Sequence, residues 1–333
     1  MRFPWVFIVL ALAATGVSSC EGIERDVPSE RVVLRIDSFY GGSKAAASYE
    51  KSISTLDVLV FRSVDGMLDA YGRAEGQQVT VDVAKGVSLD YYVVANAPAG
   101  ALRFTDRDTF LSGISEYSDN AGSTFLFEGH GTKVFSREEQ TESVSLDRYA
   151  CKVQVDDVKF SFMDTGIGHN EVVMKRVFLV NVCGTEPWSR EANTGSRWYN
   201  PMAFDSSLSE ALVSSFCKDI DREVTSSEPV SVDATLYCYP NPTDNAVTSL
   251  SNPQWSVRDT RVVIEVLIGG VSNYYPINIP AMESNRCYHI CNVNLIGQGS
   301  GSPDILVSRN AISYTVTVNK WGEEEKDIIM GED

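Results

Sequence analysis

Residues 79–83 read "VTVDV": three valines alternate with polar residues, the period-two pattern of a strand with one buried and one wet face. The same β-type composition extends in both directions. Upstream lie "RVVLRID" (31–37) and "LDVLVFR" (56–62), with the small-residue stretch "GGSKAAAS" (41–48) between them. Downstream come "YYVVANAP" (91–98), "STFLFEG" (123–129) and "VSLDRYACKVQVDDVKFSF" (144–162). The second half continues with "VVMKRVFLVNVCG" (172–184), "DATLYCYPNP" (233–242), "RVVIEVLIGG" (261–270) and "SNYYPINIP" (272–280). It closes with "CYHICNVNLIGQG" (287–299) and "AISYTVTVNKW" (311–321). Short runs of this kind, divided by Gly, Asn, Ser and Asp, favour sandwiches or barrels over a parallel α/β sheet.

Two segments read as helices instead. "DRDTFLSGISEY" (106–117) places Phe110, Leu111 and Ile114 on one face. "SSLSEALVSSFCKDI" (206–220) does the same for Leu208, Leu212, Phe216 and Ile220, with Ser207 and Glu210 spaced as a capping box. A loop-like stretch, "TEPWSREANTGSRWYNP" (185–201), precedes the second helix, and its Trp188 and Trp198 are candidates for a sugar-binding face. The chain shows no internal repeat.

The N-terminus reads as an export signal: Met1 and Arg2, the apolar "FPWVFIVLALAATG", then a small-residue site. The apolar run is shorter than the ~20 residues of a membrane span. Val17-Ser18-Ser19-Cys20 resembles the lipobox of bacterial lipoproteins, which predicts cleavage between Ser19 and Cys20 and a lipid on Cys20. The formal charge of −17 argues against a basic face for nucleic acid or anionic head groups. Beyond Cys20 stand Cys151, Cys183, Cys217, Cys238, Cys287 and Cys291, mostly inside apolar runs, where buried free thiols are expected. The end of the chain, "GEEEKDIIMGED" (322–333), is a charge-dense tail of solvated character.

Little in the sequence points to catalysis. His130, His169 and His289 are far apart, and there is no G-x-S-x-G, Walker loop or H-E-x-x-H. "GQGSG" (297–301) follows a strand and leads to Pro303, so it reads as a turn and not as a phosphate cradle. In "CYHIC" (287–291) the outer cysteines of an extended strand lie roughly 13 Å apart, too far to share one metal ion. No enzyme activity, metal or cofactor is expected.

Taken in order, these segments resemble the Bacteroidales fimbrillins, subunits of lipoprotein-derived (type V) pili. The lipobox is followed by "RVVLRIDSF", "SISTLDVLVFRSVDGMLDAYG", "YYVVANAP", "FLFEGHG" and "LDRYACKVQVDDV". "LYCYPNP", "RVVIEVLIGGVSNYYPINIP", "NRCYHICNVNLIGQGSGSPD" and "ISYTVTVNKW" follow the order of the family's C-terminal domain. The resemblance implies a mainly β protein of two transthyretin-like β-sandwich domains in tandem with a few short helices. The division expected is a signal peptide over 1–19, an N-terminal sandwich over 20–147, and a C-terminal sandwich over 148–333 that carries the acidic tail.

The resemblance also implies a structural subunit of a cell-surface pilus at the outer membrane, supporting adhesion and assembled by β-strand exchange. Its expected partners are other pilus subunits, the outer membrane through the lipid on Cys20, and host or bacterial surface ligands. The strand covering the groove maps to about 31–37, with Val32, Val33, Leu34 and Ile36. The processing loop maps to 41–52, where family members are cut after arginine and this chain offers Lys44 and Lys51. Donor-strand candidates are Ile312, Tyr314, Val316 and Val318, or Ile328 and Met330 in the tail. The alternatives are a lipid-retaining anchor or tip subunit, or a surface glycan-binding adhesin.

Overall fold

The computed structural model describes residues 30–40, 49–120, 124–190, 197–202, 212–241, 248–249, 252–256, 259–279, 282–305 and 307–322. The first part of the chain forms β1 (Arg31–Tyr40), β2 (Thr55–Arg62), β3 (Leu68–Glu75), β4 (Gln78–Ala84), β5 (Ser88–Ala95), β6 (Ile114–Glu116), β7 (Phe127–Val134) and β8 (Glu139–Arg148). The second part forms β9 (Cys151–Val155), β10 (Val158–Phe160), β11 (Val172–Val180), β12 (Val182–Cys183), β13 (Thr185–Pro187), β14 (Trp198–Tyr199) and β15 (Cys217–Glu223). It continues with β16 (Ala234–Cys238), β17 (Thr248–Ser249), β18 (Asn252–Ser256), β19 (Thr260–Ile268), β20 (Val271–Ile279), β21 (Arg286–Leu295) and β22 (Ile312–Lys320). The protein is mainly β, and no helix among the described residues is long and apolar enough to cross a membrane.

Seven strands form one sheet in the order β3-β2-β5-β7-β8-β1-β4. It folds over on itself, because β7 and β8 share only the pairs Phe127↔Arg148 and Glu128↔Asp147. Leu34 and Ile36 of β1 and Val79 and Val81 of β4 pack in one apolar cluster with Leu56, Val58 and Val60 of β2. Where β7 crosses β8 there is no room for a side chain. A Cβ on Gly129 would lie 2.4 Å from the Ser145 carbonyl oxygen.

In the second part, the sheet β10-β21-β9-β16, with β22 added along β21, faces the sheet β15-β11-β19-β20. Val153, Val155, Leu236 and Ile290 from the former share a cluster with Val177, Leu179, Ile264 and Ile277 from the latter. This is sheet-on-sheet packing. The β19–β20 hairpin turns on Gly269 and Gly270, both at positive φ (59° and 78°), as a two-residue hairpin loop requires. Trp188, Tyr239 and Trp321 lie beyond β8 in sequence yet belong to the first cluster.

Both expected helices differ from the structure. The first is α1 (Arg107–Ser112), capped by Asp106, whose carboxylate accepts from the Thr109 amide at 2.8 Å. It stops before Gly113, where a Cβ would lie 2.7 Å from the Phe104 ring, and Ile114 joins β6 with its side chain 49% exposed. In the second, Ser214–Phe216 is a short 3-10 turn and Cys217–Glu223 is β15, paired with β11. Residues 203–211, with Leu208 and the Ser207–Glu210 box, lie outside the described residues.

Candidate functional site

β1 is an inserted strand with a partner on each side. Arg31–Asp37 runs antiparallel to β4, and Val33–Tyr40 runs parallel to β8. Alternation sends Val32, Leu34, Ile36 and Ser38 inward, all at most 5% exposed. The three aliphatic chains contribute about 1.5–3 kcal/mol each by burial. Val33 (40% exposed) and Phe39 (48%) face outward, so Val33 fills no pocket. The outer face is tied down by Arg31, which bridges to Asp69 at 2.8 Å and donates to the Asp82 carbonyl. Taking β1 away would open the β4 and β8 ladders together and uncover an apolar trough between them.

The chain re-enters the described residues in a 3-10 turn, Tyr49–Lys51, held by one buried carboxylate. Glu50 is 1% exposed. Its Oε1 accepts from Lys152 Nζ and from the Tyr237 hydroxyl, each at 2.9 Å. Its Oε2 accepts from Trp321 Nε1 at 3.2 Å, and its main-chain carbonyl accepts from Arg148 Nε at 2.7 Å. Burial alone would raise the carboxyl, but hydrogen bonding and charge from Lys152, with Trp321 and Tyr237 donating, outweigh it and bring Glu50 below its ordinary value. Burial, then Tyr49 and Glu50, push the Tyr237 phenol up.

Trp321 closes this hub from the other end of the chain. It is 1% exposed, stacks on Tyr237 with ring centroids 5.4 Å apart, and meets Phe125 edge-on at 5.1 Å. The Arg148 guanidinium lies 4.3 Å above its ring. The Tyr49–Lys51 turn is thus locked to the residue directly after β22. None of the five hub residues stands out in sequence as a site. Arg148 and Lys152 are four apart in one strand-like run of the sequence but belong to separate strands, β8 and β9.

Lys51 belongs to the hub's turn and is half-buried. Ser19, Cys20, Lys44, Ile328 and Met330 lie outside the described residues. β22 pairs only with β21 among the described strands, so it is an edge strand. Alternation puts its candidate residues on one face, which packs on the second cluster: Ile312 is buried, Val316 and Val318 are half-buried, and Tyr314 is 41% exposed. Of the expected sugar-binding aromatics, Trp188 is 3% exposed and packs edge-on against Tyr149, while Trp198 is half-buried in β14. Cys287 donates to Gln154 Oε1 at 3.1 Å, and His289 Nε2 lies 2.7 Å from Asp156 Oδ2. No group of three or more metal-ligating side chains occurs among the described residues.

No family model and no curated protein matches the sequence. The fold matches solved structures along nearly its whole length. A candidate cell adhesion protein from Bacteroides eggerthii is 19% identical, covered over 97% of its chain and 89% of this one, with a TM-score of 0.68. A fimbrilin from Porphyromonas gingivalis is 13% identical, covered over 97% of its chain and 87% of this one, with a TM-score of 0.63. A candidate cell adhesion protein from Parabacteroides distasonis is 15% identical, covered over 99% of its chain and 88% of this one, with a TM-score of 0.62. The chain therefore shares the fold of a fimbrilin and of candidate cell adhesion proteins.

Proposed function

We propose that the chain is a fimbrillin-type pilus subunit that acts by assembly and adhesion and not by catalysis. It is exported as a lipoprotein on Cys20, reaches the outer membrane, and carries two sandwich domains, 20–147 and 148–333. Cutting the chain after β1, within 41–48, releases the strand, and an extended strand of another subunit takes its place. Main-chain pairing to β4 and β8 supplies affinity, and the sites of Val32, Leu34 and Ile36 supply side-chain pockets. The observation that carries this reading is β1 itself, a two-sided insert whose inward residues are all buried.

The hub supports a cut on its N-terminal side. A protease needs several residues in extended form, and Lys51 is fixed in a turn by Glu50, which leaves Lys44 as the basic residue suited to processing. The chain has no arginine between Arg35 and Arg62, which favours a second reading: an anchor subunit that keeps both lipid and β1. A specific protease site placed in residues 41–48 and cut after folding separates the two. The polymerising reading expects laddered oligomers after the cut and monomer before it. Persistent monomer that retains the 31–40 fragment overturns it.

A further inference from the structure

Cys151 and Cys238 are direct cross-strand partners in the antiparallel β9–β16 pair, and their Sγ atoms lie 3.4 Å apart. Both are 0% exposed, and the Cys151 thiol points at the Cys238 carbonyl at 3.2 Å. Three other thiols are turned toward oxygen: Cys183 to the Thr185 carbonyl, Cys217 to Asp219 and Cys287 to Gln154. Directly opposed strand residues fall within the Cα separation a disulfide spans, so closing the sulfurs to about 2.05 Å asks for side-chain rotation and little backbone movement.

The position gives such a bond a purpose. β9 begins three residues after β8 ends, so Cys151 stands where the chain leaves the first cluster for the second. Cys238 lies between Tyr237 and Tyr239, and both tyrosines pack on the first cluster. Tyr237 is also a hub residue, hydrogen-bonded to Glu50.

We propose that Cys151 and Cys238 form a disulfide that staples β9 to β16 at the junction of the two apolar clusters. The oxidant is a disulfide, that of a thiol–disulfide oxidoreductase in the cell or of oxidised glutathione in vitro. One cysteine thiolate attacks the reagent's disulfide, forms a mixed disulfide and expels one reagent thiol. The second cysteine thiolate then attacks the protein sulfur of that mixed disulfide and expels the other. Two cysteine protons end on the two reagent thiols, and two electrons pass to the reagent. The bond forms before the fold closes, because no reagent reaches sulfurs that are 0% exposed. Burial, with Cys238 alongside, also pushes the Cys151 thiol well above its ordinary range, so its thiolate is scarce once folded. The same burial shields the finished bond from reductants.

In cells the reaction rests on the export proposed above; in vitro it does not. The full chain is reduced and unfolded, refolded in a glutathione buffer, then denatured and alkylated for peptide mass mapping. The expected result is a 151–238 crosslink, a loss of about 2 Da against the reduced chain. A native-state reductant should cleave the link at least about tenfold more slowly than the same reductant in denaturant. Alkylation of both cysteines, or a link from Cys151 to any other cysteine, overturns the proposal. A link formed in vitro but absent from protein isolated from cells counts against export alone.

Discussion

Replacing Glu50 by Gln tests the hub that joins the Tyr49–Lys51 turn to the end of β22. Glu50 is 1% exposed and the Lys152 side chain 15% exposed, so the pair is shielded from solvent. Removing the carboxylate's charge leaves the Lys152 ammonium largely buried without its counter-charge, which costs about 3 kcal/mol. Glutamine keeps an acceptor for Trp321 or Tyr237, so the loss should sit at the low end of that class. At about 2–4 °C per kcal/mol, the melting temperature should fall by about 6–12 °C at pH 7.

The pH dependence identifies the cause. The folded-state pKa of Glu50 lies below its unfolded value, so its stabilisation is fully present above the unfolded pKa and is lost as pH falls through the folded one. The gap between wild type and Glu50→Gln should therefore be full at pH 6–7 and shrink once pH drops below about 4.3. Thermal melts of both chains from pH 3 to 7 read this directly. A gap that stays constant across that range, or one below about 0.5 kcal/mol at pH 7, would refute the charge-pairing argument.

Other outcomes follow from single positions. Leu34→Ala, at a fully buried inward site of β1, should cost about 2–5 kcal/mol in the uncut chain. Val33→Ala one residue away faces solvent and should stay within about 0.5 kcal/mol; equal losses in denaturant melts would contradict the inserted-strand geometry. Gly129→Ala forces a Cβ to 2.4 Å from the Ser145 carbonyl and should destabilise by about 1–3 kcal/mol, while a neutral result would mean β7 and β8 do not cross as described. Limited trypsin digestion should spare Lys51 in the wild type and cut it readily in Glu50→Gln, as peptide mapping would show. Burial raises Tyr71 to about 12, with the Asp57 carboxylate adding, so its phenol should stay protonated through pH 11 in an absorbance titration and ionise earlier in Asp57→Ala.

Much of the strand framework was legible because the period-two signal is strong where one face is wet. "VTVDV" became β4, and "RVVLRID" became β1, which runs on to Tyr40. The run at 172–184 read as one segment but is divided between β11 and β12 at Asn181, whose φ of 53° breaks the ladder. The helix expected over 206–220 failed at its end for a simple reason. Phe216 and Ile220 are four apart, and a spacing of four keeps residues on one face of a helix and of a strand alike. Pairing with β11 decides for the strand. The hub was not legible, since residues 50, 148, 152, 237 and 321 meet only once the strands are packed. Trp188 shows the converse: an aromatic in a loop-like stretch reads as exposed until Tyr149 covers it.

If β1 is held for removal, the mature N-terminus of assembled subunits records it. Polymer sheared from cells would be analysed by intact and N-terminal peptide mass spectrometry. Subunits of the polymer should begin within residues 41–48 and lack Val32, Leu34 and Ile36. Assembled subunits that still begin at a lipidated Cys20 and retain β1 would contradict it.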